Sequence, residues 1–141
     1  MTTLKVEIVT PESELWVGEA SALIARSTEG WFTILPQHTE TVGDVVSSVV
    51  RVDTPEGEIS FAVHGGYFQV GREGEDVTLA TILAGIAERT TDIDVARAQR
   101  AKESAEAEIA AESRNDAHDT SASLLAHAAL ERAELRLAAK N

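Results

Sequence analysis

The stretch "TTDIDVARAQRAKESAEAEIAAES", residues 90–113, decides how this chain is read. Upstream of it the sequence is rich in Val, Ile, Thr and Gly. From it onward the sequence is rich in Ala, Glu and Arg. A β-rich part therefore gives way to a helical part. Thr91 or Asp92 offers a short side-chain oxygen to cap the free N–H groups of a first helix. Ala98, Ala101, Ala105 and Ile109 then recur on one helical stripe. "SRNDAHD", residues 113–119, interrupts the pattern with residues that favour turns and caps. A second helix follows, with Ala122, Ala126, Ala129, Ala133 and Leu137 on its stripe. Two helices joined by a short loop pack antiparallel. Stripes of alanine allow a close approach but bury little area, at about 25 cal/mol per Å² of apolar surface. Such a hairpin is marginal by itself, so it either docks or moves.

Working outward, the first part alternates with period two. "LKVEIV" puts Leu4, Val6 and Ile8 on one face and Lys5, Glu7 and Val9 on the other. "SALIARS" and "WFTILP" read as two more strands. "DVVSSVVRV" and "EISFAV" flank the turn "DTPEGE" and read as a hairpin. "GYFQVG" and "DVTLATIL" flank "REGE" in the same way. Many short strands at turn spacing predict an antiparallel β-sandwich or flattened barrel. The fold class is α+β: the sandwich over residues 1–87, then an antiparallel two-helix hairpin over residues 88–141.

Charge narrows the partners. The 141-residue chain carries a net charge of −12. Residues 1–85 hold 4 Lys/Arg against 13 Asp/Glu, and the remainder holds 8 against 11. Nucleic acid and anionic lipid call for a basic face, which this balance does not supply. The basic residues of the second part are interleaved with acids, as on a solvated helix face. Cysteine is absent, which excludes disulfides and thiolate metal sites. The start "MTTLKVEIV" does not read as a signal peptide, and no window reaches the ~18–20 apolar residues of a membrane helix. The expectation is a soluble chain that meets a membrane only through partners.

The hairpin brings charges together. A turn centred near Asn115 sets Asp94 across from Arg136 and Arg97 across from Arg132. Arg132 and Arg136 share a helix face, as do Asp94 and Arg97. Glu88 lies just before the first helix. Three arginines and one aspartate then converge at two helix ends. Solvated arginines in weak ion pairs account for any one of them. For the cluster as a whole an anion site is an equal reading, because guanidinium forks match phosphate oxygens and a helix N-terminus adds N–H groups.

At these residues the sequence resembles the epsilon subunit of the bacterial F-type ATP synthase. The likeness runs through "LKVEIVTPE", "GWFTILPQH", "VVRVDTPEGE", "FAVHGGYFQV" and "AERTTDIDVARAQRAKE", in that order. Some members bind ATP through an I/L-D-x-x-R-A motif, matched here by Ile93, Asp94, Arg97 and Ala98. Glu88 matches an upstream acid, and Arg132 and Arg136 match two arginines of the second helix. The resemblance implies ATP as a regulatory ligand at these six positions apart from Ile93, with no cofactor required. The family loop G-x-x-G-I-L-P-G-H-A-P-L-L is altered: Thr33 and Gln37 replace glycines, residues 39–42 read Thr-Glu-Thr-Val, and Ser47-Ser48 stands where Pro-Gly is common. The loop that faces the membrane rotor ring is thus more polar here.

The implied role is that of a non-catalytic rotor part, peripheral on the cytoplasmic face of the bacterial membrane. The sandwich would sit on the gamma subunit and the ring of c subunits, with Trp31, Phe32 and His38 as a ring-facing patch. Phe32 reads better as core, and Trp31 reads equally as either. The hairpin would regulate, folding down or extending toward the catalytic alpha/beta head to block ATP hydrolysis. A free-standing adenine-nucleotide sensor is the alternative. An enzyme is the poorer reading. His38, His64, His118 and His127 lack metal-ligand spacing, with His118 and His127 read as solvent-facing on the second helix. "HGGYF" has no G-x-S-x-G beside it and reads as tight packing around glycines. No G-K-[ST] is present, so ATP hydrolysis is not expected of this chain.

Overall fold

The computed structural model describes residues 3–114 and 120–140, with their side chains over 3–111 and 124–140. The chain divides into two compact units, Met1–Arg89 and Thr90–Asn141. The first holds ten strands: β1 (Thr3–Val9), β2 (Glu14–Ala20), β3 (Ala22–Ser27), β4 (Gly30–Ile34), β5 (Thr41–Val45), β6 (Ser48–Thr54), β7 (Gly57–Val63), β8 (Gly66–Arg72), β9 (Val77–Ala84) and β10 (Ala87–Arg89). They form two five-stranded sheets, in the orders β2-β1-β9-β8-β5 and β10-β7-β6-β3-β4. The fold is a β-sandwich followed by two helices.

Alternation in the sequence becomes the two faces of each sheet. Leu4, Val6 and Ile8 are fully buried, as are Ala80 and Ile82 beside them on β9. From the other sheet Leu23, Ala25, Val50, Val52, Phe61 and Val63 close the core. One pair departs from the antiparallel expectation: β1 and β9 run parallel, Leu4 beside Thr78 through Val9 beside Leu83. Strands so far apart in sequence are not bound to hairpin geometry.

"DVVSSVVRV", read above as one strand, is divided. β5 ends at Val45 in one sheet and β6 begins at Ser48 in the other. The chain crosses at Val46, whose N–H donates to the Arg26 carbonyl at 2.9 Å, while the Ser48 hydroxyl donates to the Val46 carbonyl at 2.8 Å. The two serines break a continuous apolar run where the backbone has to change sheet. Across "DTPEGE" the expected hairpin forms, with Thr54 opposite Gly57. Gly57 takes φ 128°, which side-chain-bearing residues rarely adopt. The sandwich also contains two strands that were not anticipated, β2 and β10. β10 pairs Ala87, Glu88 and Arg89 with Val63, Ala62 and Phe61, so the first unit runs through Arg89.

The second unit opens with a 3-10 turn at Thr90–Asp92, followed by α1 (Val95–Arg114) and α2 (Thr120–Lys140). α1 and α2 pack against each other. Ala98, Ala105, Ala126 and Ala133 are buried. Lys140 Nζ donates to the Thr91 carbonyl at 3.3 Å, which brings the end of α2 beside the start of the unit. Of "SRNDAHD", Ser113 and Arg114 still belong to α1. Asn115 and His118 lie outside the described residues, and nothing is described of the Ala122 side chain.

Candidate functional site: the open end of the hairpin

The helix start is built around Asp94, not around Thr91 or Asp92. Asp94 Oδ1 accepts the Arg97 backbone N–H at 3.1 Å, and the Asp94 carbonyl accepts the Ala98 N–H at 3.0 Å. Asp94 is therefore the N-cap of α1, and its carboxylate satisfies a first-turn N–H that the helix itself leaves without a partner. Thr91 and Asp92 miss that position because residues 90–92 are taken up by the 3-10 turn, where the Ile93 N–H approaches the Thr90 carbonyl at 3.4 Å. Ile93 and Ala98 occupy the two positions of a hydrophobic staple across the cap, and both are buried.

Arg97 is exposed in the first turn of α1. Arg132 and Arg136 are half-buried on α2. The Lys140–Thr91 contact puts the C-terminal end of α2, the helix that carries Arg132 and Arg136, at the end of the hairpin where Asp94, Arg97 and Ala98 begin α1. Glu88 belongs to the other unit: it lies on β10 opposite Ala62. Its Oε1 is 3.6 Å from Nε2 of His64, whose side chain is 4% exposed. The "HGGYF" segment is the tight connection from β7 to β8, and Gly65 takes φ 87° within it.

The expected ring-facing residues separate. Phe32 packs on the sandwich core, its ring centroid 4.5 Å from that of Phe68. Trp31, cross-strand from Arg26, is 60% exposed, and the Arg26 guanidinium carbon lies 6.0 Å from its ring centroid. His38 is half-buried in the β4–β5 connection, with Nδ1 2.8 Å from the Thr39 carbonyl. Leu35 and Val42, on either side of it, are exposed.

Sequence reasoning missed what holds this connection. Gln37 takes φ 72°, the left-handed region that favours glycine. Its backbone N–H donates to Thr78 Oγ1 at 2.8 Å. Arg72 Nη1 donates to the same oxygen at 3.3 Å, and Nη2 to the Gln37 carbonyl at 3.5 Å. Thr78 is fully buried. The signal was present: in "DVTLATIL" Thr78 shares the inward register of Ala80 and Ile82, where a hydroxyl needs a partner.

No three His, Cys, Asp or Glu are grouped to hold a metal among the described residues, and no described helix is long and apolar enough to cross a membrane.

The sandwich-plus-hairpin fold recurs in rotary ATP synthases. A chain of the Euglena gracilis mitochondrial ATP synthase (OSCP/F1/c-ring, rotational state 1) superposes with a TM-score of 0.78 at 20% identity, covering 100% of this chain and 83% of that one. A chain of the Tetrahymena thermophila mitochondrial ATP synthase central stalk and c-ring gives 0.59 at 14% identity, covering 98% and 96%. Residues 3–90 match the family described as ATP synthase, Delta/Epsilon chain, beta-sandwich domain. The ATP synthase epsilon chain of Levilactobacillus brevis is 35% identical over 96% of this chain and 93% of its own. That of Thermobifida fusca is 44% identical over 74% and 76%. The chain belongs to the ATP synthase epsilon chain family. That membership does not favour a free-standing nucleotide sensor.

Proposed function

We propose that this chain is a non-catalytic coupling and regulatory subunit whose sandwich binds gamma and the ring of c subunits, and whose hairpin restrains ATP hydrolysis at the alpha/beta head. It would work on the cytoplasmic face of the membrane, held there by its partners. In this reading ATP is a regulatory ligand of the closed hairpin, at Asp94, Arg97, Ala98, Arg132 and Arg136. One observation carries the nucleotide reading. The Lys140–Thr91 hydrogen bond holds the end of α2, the helix of Arg132 and Arg136, beside the residues that lead into α1. A seam of alanines suits an element with two states, since a gap of a few kcal/mol between them can be biased by a ligand. The exposed Trp31, Leu35 and Val42 around the β4–β5 connection favour that end of the sandwich as a docking surface.

Two measurements test these roles. Purification from membranes should bring gamma and the ring with this chain; recovery of neither would refute the coupling role. ATP titration of the chain, and of Arg132→Ala with Arg136→Ala, should show weaker binding in the double variant. Unchanged affinity together with unchanged restraint of hydrolysis in the assembled complex would remove both arginines from the proposal.

A further inference from the structure

Resting on the coupling role above, we propose that Arg26 and Trp31 form one contact site on the sandwich, and that it takes a carboxylate-bearing segment of a subunit docked there. Charge singles out Arg26. Residues 1–85 hold four basic side chains, Lys5, Arg26, Arg51 and Arg72, against 13 acidic ones. Three of the four have polar partners in the fold. Lys5 Nζ lies 3.2 Å from Glu73 Oε2, and Arg51 Nε lies 3.5 Å from both Asp53 Oδ1 and Glu58 Oε2. Arg72 donates to Thr78 Oγ1 and to the Gln37 carbonyl. The Arg26 guanidinium pairs with no carboxylate among the described residues. Asp44, which reaches the turn after β3, has both carboxylate oxygens on Thr28: it accepts the backbone N–H at 2.8 Å and the hydroxyl at 3.1 Å. A unit this acidic repels an acidic partner except where such a cation stands.

Trp31 is the second observation. β4 is an edge strand, and its side chains alternate. Phe32 and Ile34 serve the core, while Trp31 and Thr33 are exposed. Trp31 is 60% exposed, cross-strand from Arg26, with the guanidinium carbon 6.0 Å from its ring centroid. Core packing does not explain this indole, and an ion pair does not explain this arginine. Together they make a site. A guanidinium lying against an aromatic ring keeps its N–H fork for a carboxylate, and the ring adds a rigid apolar surface beside it. Trp and Arg are also the residue types on which protein contacts most depend.

The test uses the full chain and the gamma subunit with its ring of c subunits, purified from membranes without this chain. Binding is measured for the unaltered chain and for Arg26→Gln, Trp31→Ala and Arg51→Gln. Arg26→Gln and Trp31→Ala should each weaken binding about tenfold or more, as the loss of a charge-assisted hydrogen bond and of an aromatic anchor predicts. Arg51→Gln, on an arginine already paired within its own sheet, should stay within about twofold. Added salt should weaken the unaltered chain more steeply than Arg26→Gln. Arg26→Lys keeps the charge and supplies an amine that a water-soluble carbodiimide can join to a carboxylate in contact with it. Mass spectrometry should find that cross-link on an Asp or Glu of gamma or of the ring. The proposal is overturned if Arg26→Gln or Trp31→Ala binds as the unaltered chain does. It is also overturned if Arg26→Lys forms no cross-link, or joins only to Glu29 or Asp44 of its own chain. If the unaltered chain does not bind the assembly at all, the coupling role itself falls and this contact with it; binding that ignores Arg26 removes the contact and leaves the role standing.

Discussion

The two units of this chain are held together by different means. In the sandwich, Leu4, Ile8, Leu23, Ile34, Phe61 and Ile82 are fully buried, and large side chains from two sheets interdigitate. In the hairpin the buried seam is alanine: Ala98, Ala105, Ala126 and Ala133. Each buried leucine or phenylalanine contributes on the order of 2–3 kcal/mol, and each alanine a fraction of that. The sandwich is a cooperative solid. The hairpin depends on small local terms: a cap, a staple, a lysine on a carbonyl. In the proposed role, a subunit that stays attached while its hairpin changes state calls for that division.

Four substitutions test whether the two units differ in this way. Phe61→Ala should cost the sandwich about 3–5 kcal/mol, by loss of transfer energy and creation of a cavity. A calorimetric scan should show its transition lowered or lost. Ala133→Leu should overpack the helix seam by about 1–3 kcal/mol. Amide exchange should accelerate at Ala105 and Ala126 while Val70 and Ile82 stay protected; equal acceleration in both units would mean that they unfold together. Gln37→Gly should act in the opposite direction. It relieves a left-handed residue and stabilises the sandwich by up to about 1 kcal/mol, offset in part by backbone entropy. Denaturant unfolding would show the higher midpoint. Lys140→Met should have the smallest effect, about 0.5 kcal/mol or less for an exposed bond. It should appear as faster exchange near Thr91 and nowhere in the sandwich.

Much of this was legible in the residues. Period-two alternation in "LKVEIV" gives a strand with Leu4, Val6 and Ile8 inward. The turns at "DTPEGE" and "REGE" give two hairpins. The alanine stripes give two helices that pack on each other. The misses share a cause, which is dependence on a neighbour distant in sequence. "DVVSSVVRV" reads as one strand until Arg26 takes the Val46 N–H and the chain changes sheet. β2 and β10 are ordinary in sequence and become strands by pairing with β1 and β7. Asp94 and Asp92 are equally good caps by residue type; the 3-10 turn before α1 selects Asp94. For the site, the motif, Glu88 and the two arginines of α2 were grouped on the family resemblance; what local sequence did not show is that Glu88 stands on β10, 3.6 Å from His64. The family resemblance marked position 37 as altered, yet the tie from Gln37 to Thr78 and Arg72 spans two distant segments and leaves no local pattern.

Local sequence is enough to set which faces are apolar, where the turns fall, and that a β-rich part is followed by an alanine-lined hairpin. Those depend on periodicity and on the conformational limits of single residues, which are local. The parallel pairing of β1 with β9, the change of sheet at Val46, the left-handed Gln37 under its Thr78 tie, and Asp94 as the cap come from the assembled fold. Each is settled by a hydrogen bond or a packing partner that local sequence does not specify: a donor is satisfied by whichever acceptor the completed fold brings within reach.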